Sequence, residues 1–154
     1  MLLNTSYEII INGIEAAIVA QLLKFIGHII KTKKVDFQVL ATTGGMPSAH
    51  TAGVIALSTT VGFICGFESV EFAIAIGYSL VVMYDAAGLR RATGKIAASL
   101  NKIRDDFYSQ GQVPAERLKE LLGHTPFEVF VGALLGIYMA YVNHFFLFQQ
   151  GKLW

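Results

Sequence analysis

The chain has 154 residues, 54% of them hydrophobic and 15% charged, with a mean hydropathy of +0.54. Soluble domains carry about a quarter charged residues, so this composition excludes an ordinary water-soluble domain and indicates a protein surrounded by lipid. The formal net charge of +1 argues against nucleic acid as a partner, because binding a phosphate backbone requires a strong basic excess. A single cysteine excludes an intramolecular disulfide. We predict one integral-membrane domain over residues 1–154.

Four stretches approach the length of about 20 mostly apolar residues that a membrane-spanning helix needs. They run from about Ile9 to Ile30, Thr51 to Cys65, Phe72 to Leu89 and Phe127 to Phe148. The second is short, and we expect it to begin within the polar stretch just before Thr51. The sequence therefore predicts an all-α polytopic membrane bundle of about four spans.

Two spans contain pairs of glycines four residues apart, Gly62 with Gly66 and Gly132 with Gly136. This spacing places both members of a pair on one helix face and favours close helix packing in lipid. The partner of that face is either another helix of the same chain, which we favour, or a second copy in a homodimer.

The polar segment of residues 90–126 contains a further helix pattern. Ile96, Leu100, Ile103 and Phe107 recur at helical spacing between charged residues, which predicts an amphipathic helix at the membrane interface. A break at Gly111–Pro114 follows, and Pro114 suits the first turn of a short helix that stops near Gly123.

Most of the 12 Lys and Arg residues fall in two loops, one between the first and second spans and one between the third and fourth. Both loops lie on the same side of a four-span bundle. The positive-inside rule then places them in the cytoplasm, with both termini outside. We therefore expect a multi-pass protein of the cell membrane.

Three polar motifs adjoin the spans and open on this cytoplasmic side, and they run over residues 44–50, 84–91 and 123–128. Their residue types suit phosphoryl transfer through a histidine: one imidazole attacks phosphorus, a second protonates the leaving group, a carboxylate orients the first ring, and basic or backbone N–H groups hold the oxygens. His124 and Glu128 share a helix face if the fourth span starts near His124. Gly45 and Ser48 lie where the second span begins, which is a ready anion site.

In this order the motifs Gly-Gly-Met-Pro-Ser-Ala-His at 44–50, Tyr-Asp-Ala-Ala-Gly-Leu-Arg-Arg at 84–91 and Leu-Gly-His-Thr-Pro-Phe-Glu-Val at 122–129 resemble the divergent branch of the type 2 phosphatidic acid phosphatase superfamily. These are membrane proteins related to acid phosphatase and vanadium-dependent haloperoxidase, and the resemblance covers nearly the whole chain. It implies that His124 is the nucleophile, that Glu128 takes the carboxylate position and that His50 is the general acid. It also implies a phosphohistidine intermediate, no metal or cofactor, and a lipid phosphate or diphosphate as substrate.

The chain departs from the superfamily pattern in its phosphate clamp. Leu118 stands where the third motif has arginine, and the first motif is matched only by Lys24 and Lys31. As a hypothesis independent of the resemblance, Arg90 and Arg91, close to Asp85, supply the missing positive charge. A cytoplasmic site also differs from the outward-facing site common in the bacterial lipid phosphatases of the superfamily.

Structural interpretations exist for the same residues. His50 could cap a helix start, and Asp85 with Arg90 and Arg91 could be a positive-inside anchor. Lys24 lies within the first span, where a charge must face the bundle interior or reach the interface by snorkelling. The sequence thus leaves two functions open: a metal-independent lipid phosphatase, or a non-catalytic membrane protein that binds lipid phosphate or acts as a scaffold.

Overall fold

The computed structural model describes residues 5–41, 44–108 and 123–147. Its helices are α1 (Ser6–Thr32), α2 (Ala49–Cys65), α3 (Val70–Tyr84), α4 (Arg90–Tyr108) and α5 (Pro126–Val142). Short turns join or extend them: a 3-10 turn at Phe37–Ala41 and π-helical turns at Asp85–Leu89 and Asn143–Leu147. All regular elements in these ranges are helical, as the apolar stretches predict.

Hydroxyl side chains fix where four of the helices begin. Thr5, Ser48, Ser69 and Thr125 each precede a helix and accept a hydrogen bond from a backbone N–H of its first turn. Such caps satisfy N–H groups that have no partner within the helix. The helix starts are therefore encoded locally, by single residues.

Three helical stretches are long and apolar enough to cross a membrane: Ser6–Thr32, Val70–Arg104 and Pro126–Phe146. Helix α2 is also apolar but has 17 residues, which is about 25 Å of helix and less than the roughly 30 Å of a hydrocarbon core. The expected bundle of about four apolar helices is present, with one member shorter than the others.

The helix that contains the predicted third span continues beyond Leu89. Helix α3 passes through the π-helical turn Asp85–Leu89 into α4, and the helical stretch Val70–Arg104 has 35 residues. At a rise of about 1.5 Å per residue it is about 52 Å long, well beyond the core of a bilayer. The amphipathic helix is thus a direct continuation of a membrane helix.

Helix α2 lies at the centre and packs against α1, α3 and α5. Where these helices meet, the core consists of fully buried alanines: Ala16, Ala20, Ala52, Ala56 and Ala140. Small side chains allow the backbones to approach closely, which is how helices associate where lipid competes for apolar contacts.

The Gly132–Gly136 pair faces α2. A methyl group at Gly132 would lie 2.6 Å from the Ser48 carbonyl oxygen, and one at Gly136 would lie 2.5 Å from the Ala52 carbonyl oxygen. Both distances are below van der Waals contact, so only glycine fits. The structure therefore assigns this pair to packing within one chain.

A buried hydrogen-bond network joins α1, α2 and α5 at the end of the bundle where α1 begins. The Asn12 amide donates to Thr60 Oγ1 at 2.9 Å, and the Asn143 amide donates to Asn12 Oδ1 and Glu15 Oε2, each at 2.7 Å. Unpaired polar groups are costly in a membrane. Glu15, a charge within the first span, is accordingly paired.

His144 lies beside this network and pairs with the fully buried Glu8, with Nδ1 2.6 Å from Glu8 Oε1. Its ring stacks on Phe63 at a centroid distance of 5.1 Å. The sequence offers no motif that joins His144 to a partner 136 residues away, and here the two side chains tie the start of α1 to the end of α5.

Candidate functional site

The candidate site lies at the other end of the bundle, where α2 and α5 begin side by side. The Ser48 N–H donates to the Glu128 carbonyl at 3.2 Å. This bond joins the first and third polar motifs, which are about 80 residues apart in the chain. The absence of a side chain at Gly132 permits this approach.

His124 sits between the π-helical turn and α5, and its side chain is 2% exposed. Its backbone N–H donates to the Ala86 carbonyl at 2.9 Å, and its ring Nδ1 lies 3.3 Å from Glu128 Oε2. The second motif therefore holds the backbone of His124, and the third motif holds its ring.

Glu128 is positioned by a capping box at the start of α5. Its N–H donates to Thr125 Oγ1 at 3.3 Å, and its carboxylate accepts the Thr125 N–H at 3.0 Å through the same Oε2 that faces the His124 ring. The capping box alone would account for a glutamate at position 128. The ring contact gives its carboxylate a second role, because it fixes which imidazole nitrogen faces the protein.

Lys24 brings a positive charge to this place from α1. The side chain is 7% exposed, and its carbon stem packs against Gly45, where a methyl group would lie 3.3 Å from Lys24 Cδ. Its charge attracts the Glu128 carboxylate and disfavours protonation of the His124 ring. Of the two sequence interpretations of Lys24, the structure shows the inward-facing one.

Gly45 lies against both the Lys24 side chain and the His124 ring. Its φ of +93° is in the left-handed region that favours glycine, and its backbone hydrogen-bonds the His124 ring. Burial lowers the pKa of the His124 imidazole below its ordinary value, and the Lys24 charge acts in the same direction. The hydrogen bonds to Glu128 and Gly45 and the Glu128 charge oppose this shift without reversing it. The ring is therefore neutral at neutral pH.

Ser48 and His50 stand at the start of α2. Ser48 is fully buried, and its Oγ accepts hydrogen bonds from the Thr51 N–H at 3.4 Å and from the Thr51 hydroxyl at 3.0 Å. Its backbone N–H is taken by Glu128. His50 lies in the first helical turn and is exposed, at the same end of the bundle as His124.

The other residues predicted to bind phosphate are Lys31, Asp85, Arg90 and Arg91. Lys31 is exposed in the last turn of α1, two turns and about 10 Å along the axis from Lys24. Asp85 opens the π-helical turn, next to Ala86. Arg90 and Arg91 begin α4, but their side chains lie outside the described part of the chain, as do the predicted break at Gly111–Pro114 and the residues around Leu118.

Sequence reasoning missed two features of this site. The pattern Thr-x-x-Glu at 125–128 is a capping-box signature and was available in the sequence. The role of the Ala86 carbonyl could not be predicted from the sequence. Every residue has a main-chain carbonyl, and this one accepts the His124 N–H because it lies in a π-helical turn.

Comparisons with known proteins identify the family of the chain. The family described as "Divergent PAP2 family" matches residues 5–139, a range that includes all three motifs. The chain is 37% identical to the uncharacterized membrane protein YuiD of Bacillus subtilis (strain 168), over 89% of this chain and 94% of that protein. No solved structure matches the chain. With its apolar helices, the buried His124–Glu128 pair and a family match over most of its length, this integral membrane protein belongs to the divergent PAP2 family.

Proposed function

We propose that the chain hydrolyses a lipid phosphate ester or diphosphate without a metal, through a phosphohistidine formed on His124. One observation carries the proposal: a buried imidazole with a lowered pKa has a carboxylate on one nitrogen and the Lys24 charge nearby. A carboxylate contact also occurs in the structural His144–Glu8 pair, so the Lys24 charge beside His124 is the feature that favours a phosphate site.

In the first step His124 attacks phosphorus. With its Nδ1–H donated to Glu128, the neutral ring carries its lone pair on Nε2, which is the nucleophilic atom. The N–P bond forms as the bond from phosphorus to the lipid oxygen breaks. The Glu128 carboxylate then stabilises the positive charge that develops on the ring.

The leaving oxygen takes a proton from His50, in its protonated form, and the lipid alcohol departs, or the lipid monophosphate when the substrate is a diphosphate. Water next attacks the phosphohistidine, His50 accepts a proton from it, and inorganic phosphate leaves as the N–P bond breaks. The exposure of His50 supports this role, because a group that exchanges protons in two successive steps needs access to water.

Lys24 supplies positive charge for the phosphate oxygens in a site largely shielded from water, where such charge is most effective. The Gly45 backbone lines the same place. Arg90 and Arg91 at the start of α4 are the further cations proposed for the clamp, with Asp85 as their partner. Substrates of this chemistry include phosphatidate, phosphatidylglycerophosphate and prenyl diphosphates. The basic residues of the two loops support a site on the cytoplasmic face.

A second candidate function is binding of lipid phosphate without turnover. It is favoured by the engagement of the Ser48 N–H and hydroxyl oxygen within the protein and by the distance of Lys31 from Lys24. Both leave fewer groups for a phosphate clamp than the superfamily motifs provide.

Phosphate release from the three lipid classes by purified protein in detergent tests the proposal. We expect His124→Ala to lower release by at least about 1000-fold, while His28→Ala, a histidine substitution on α1 outside the three polar motifs, leaves it unchanged. Full activity of the His124 variant would end the mechanism. Tight binding of vanadate or phosphate with no hydrolysis of any of these lipids would favour the binding function instead.

A further inference from the structure

Helix α4 has two unlike faces. Gly94, Ala97 and Asn101 follow each other at spacings of three and four residues and are buried. A separate row of large aliphatic side chains is left uncovered: Ile96 is 60% exposed, Leu100 49% and Ile103 52%. With about 100° of rotation per residue, this aliphatic row lies on a different side of the helix from the buried one.

A row of lysines runs beside the aliphatic row. Lys95 and Lys102 are seven residues apart, so they lie on one line along the helix, and both are exposed. Residues 90–104 contain no Asp or Glu. An apolar strip bordered by lysines is complementary to a bilayer surface rich in anionic headgroups, where aliphatic groups enter the acyl boundary and ammonium groups reach the phosphates.

The position of α4 in the fold supports a bilayer surface as the partner of this face. The stretch Val70–Arg104 is about 52 Å long as a helix, against roughly 30 Å of hydrocarbon core, so α4 follows the point where the chain leaves the core. The π-helical turn Asp85–Leu89 lies between the spanning and the amphipathic parts, and such turns are where helices bend. A bend at this turn would lay α4 along the surface.

We propose that α4 docks onto anionic lipid headgroups through its Ile96–Leu100–Ile103 face, with Lys95 and Lys102 contacting the phosphates. The turn that leads into α4 also carries Ala86, whose carbonyl holds the His124 backbone. The docking requires no turnover at His124.

A tryptophan at position 100 tests the docking directly. In a Trp154→Phe background, which removes the only native tryptophan, Leu100→Trp is reconstituted in nanodiscs of brominated phosphatidylcholine with or without phosphatidylglycerol. We expect bromine quenching of the indole to increase when the anionic lipid is present. An indole that is not quenched in either lipid would overturn the proposal, because the face would then lie away from the acyl boundary.

Removal of the lysines tests the charge complementarity. The added substitutions Lys95→Gln and Lys102→Gln should reduce the docked-to-undocked ratio in anionic nanodiscs about fivefold for each lysine. Lys33→Gln with Lys34→Gln, the same change of charge in the α1–α2 connection, should leave it unaltered. Equal quenching in all variants would refute the role of the lysines, and an equal loss in the control pair would refute the role of this face. Phosphate release needs no measurement here, so the docking can fail while the phosphatase proposal stands.

Discussion

Glu128 Oε2 lies 3.3 Å from His124 Nδ1 and accepts the Thr125 N–H at 3.0 Å. One oxygen atom thus serves both the start of α5 and the orientation of the ring. The structural and the chemical role of Glu128 can be separated, because different substitutions disturb them.

Glu128→Gln should keep the cap and impair the chemistry. An amide oxygen in the place of Oε2 can still accept both the Thr125 N–H and the His124 Nδ1–H, but a neutral amide no longer stabilises the positive charge that develops on the ring. We expect kcat to fall about 100- to 10,000-fold with little change in thermal unfolding. Thr125→Ala is the matched control: it should destabilise by about 1 kcal/mol and retain kcat. If the two variants lost activity equally, the ring contact would be incidental.

The rate of phosphorylation should depend on pH through His124. Its pKa is lowered, chiefly by burial, and only the neutral ring attacks. The rate therefore rises with pH through a midpoint below the ordinary value of 6.5 and is flat above it as far as His124 is concerned. Single-turnover measurements in the acidic range give this midpoint.

Substitutions of the two charged neighbours should move the His124 titration in opposite directions. Lys24→Met removes a charge that lowers the pKa, so the pKa should rise. Glu128→Gln removes a group that raises it, so the pKa should fall. Nuclear magnetic resonance of ¹⁵N-labelled histidine in detergent measures both, with His28 as an internal reference. Shifts of the same sign would contradict the arrangement of the three side chains.

Lys24 should matter more than Lys31. Loss of a buried charge-assisted contact to the phosphate predicts a decrease in kcat/KM of about 10- to 100-fold for Lys24→Met. Lys31→Met, the same change two turns away at the exposed end of α1, should have a much smaller effect. The reverse order would mean that the phosphate binds at the end of α1 and not beside Gly45.

Gly132→Ala should separate α2 from α5 at the site. Its methyl group would meet the Ser48 carbonyl oxygen at 2.6 Å, and overpacking of this kind costs about 1–3 kcal/mol. We expect lower thermal stability together with lower activity. Gly77→Ala on α3 is the control, since a methyl group there meets no atom within 4 Å, and it should be neutral or stabilising.

The polar network at the opposite end should affect stability alone. Asn143→Leu leaves Asn12 Oδ1 and Glu15 without their donor, which predicts a loss of about 1–3 kcal/mol. Phosphate release per folded molecule should be unchanged, because the site lies at the other end of α5. A loss of activity larger than the loss of folded protein would show that the two ends are coupled.

Hydropathy and helix spacing were sufficient to predict the helices. Apolar stretches of about 20 residues have few structural solutions in lipid, because every backbone group must be paired within the segment. The motifs also predicted that Ser48 and Glu128 lie near each other, and their backbones are hydrogen-bonded. Contacts set by tertiary packing were not predictable, such as the Glu8–His144 pair, for which no local pattern exists.

The end of a membrane span and the end of its helix are separate features. The third span was expected to end at Leu89, because hydropathy decreases there, and the helix continues past that point, since a polar sequence does not by itself end a helix. No proline follows Leu89 before Pro114, and the π-helical turn Asp85–Leu89 connects α3 directly to α4. The phosphate clamp stays a prediction for Arg90 and Arg91.

The hydrogen bond from His124 to Ala86 has a consequence for how this protein can be altered. Because the acceptor is a main-chain carbonyl, no side-chain replacement at residue 86 removes it. The Ala86 side chain is 3% exposed. The surrounding atoms therefore limit how large a replacement can be. Engineering that changes the reactive groups can therefore keep the same anchor, provided that residue 86 remains small.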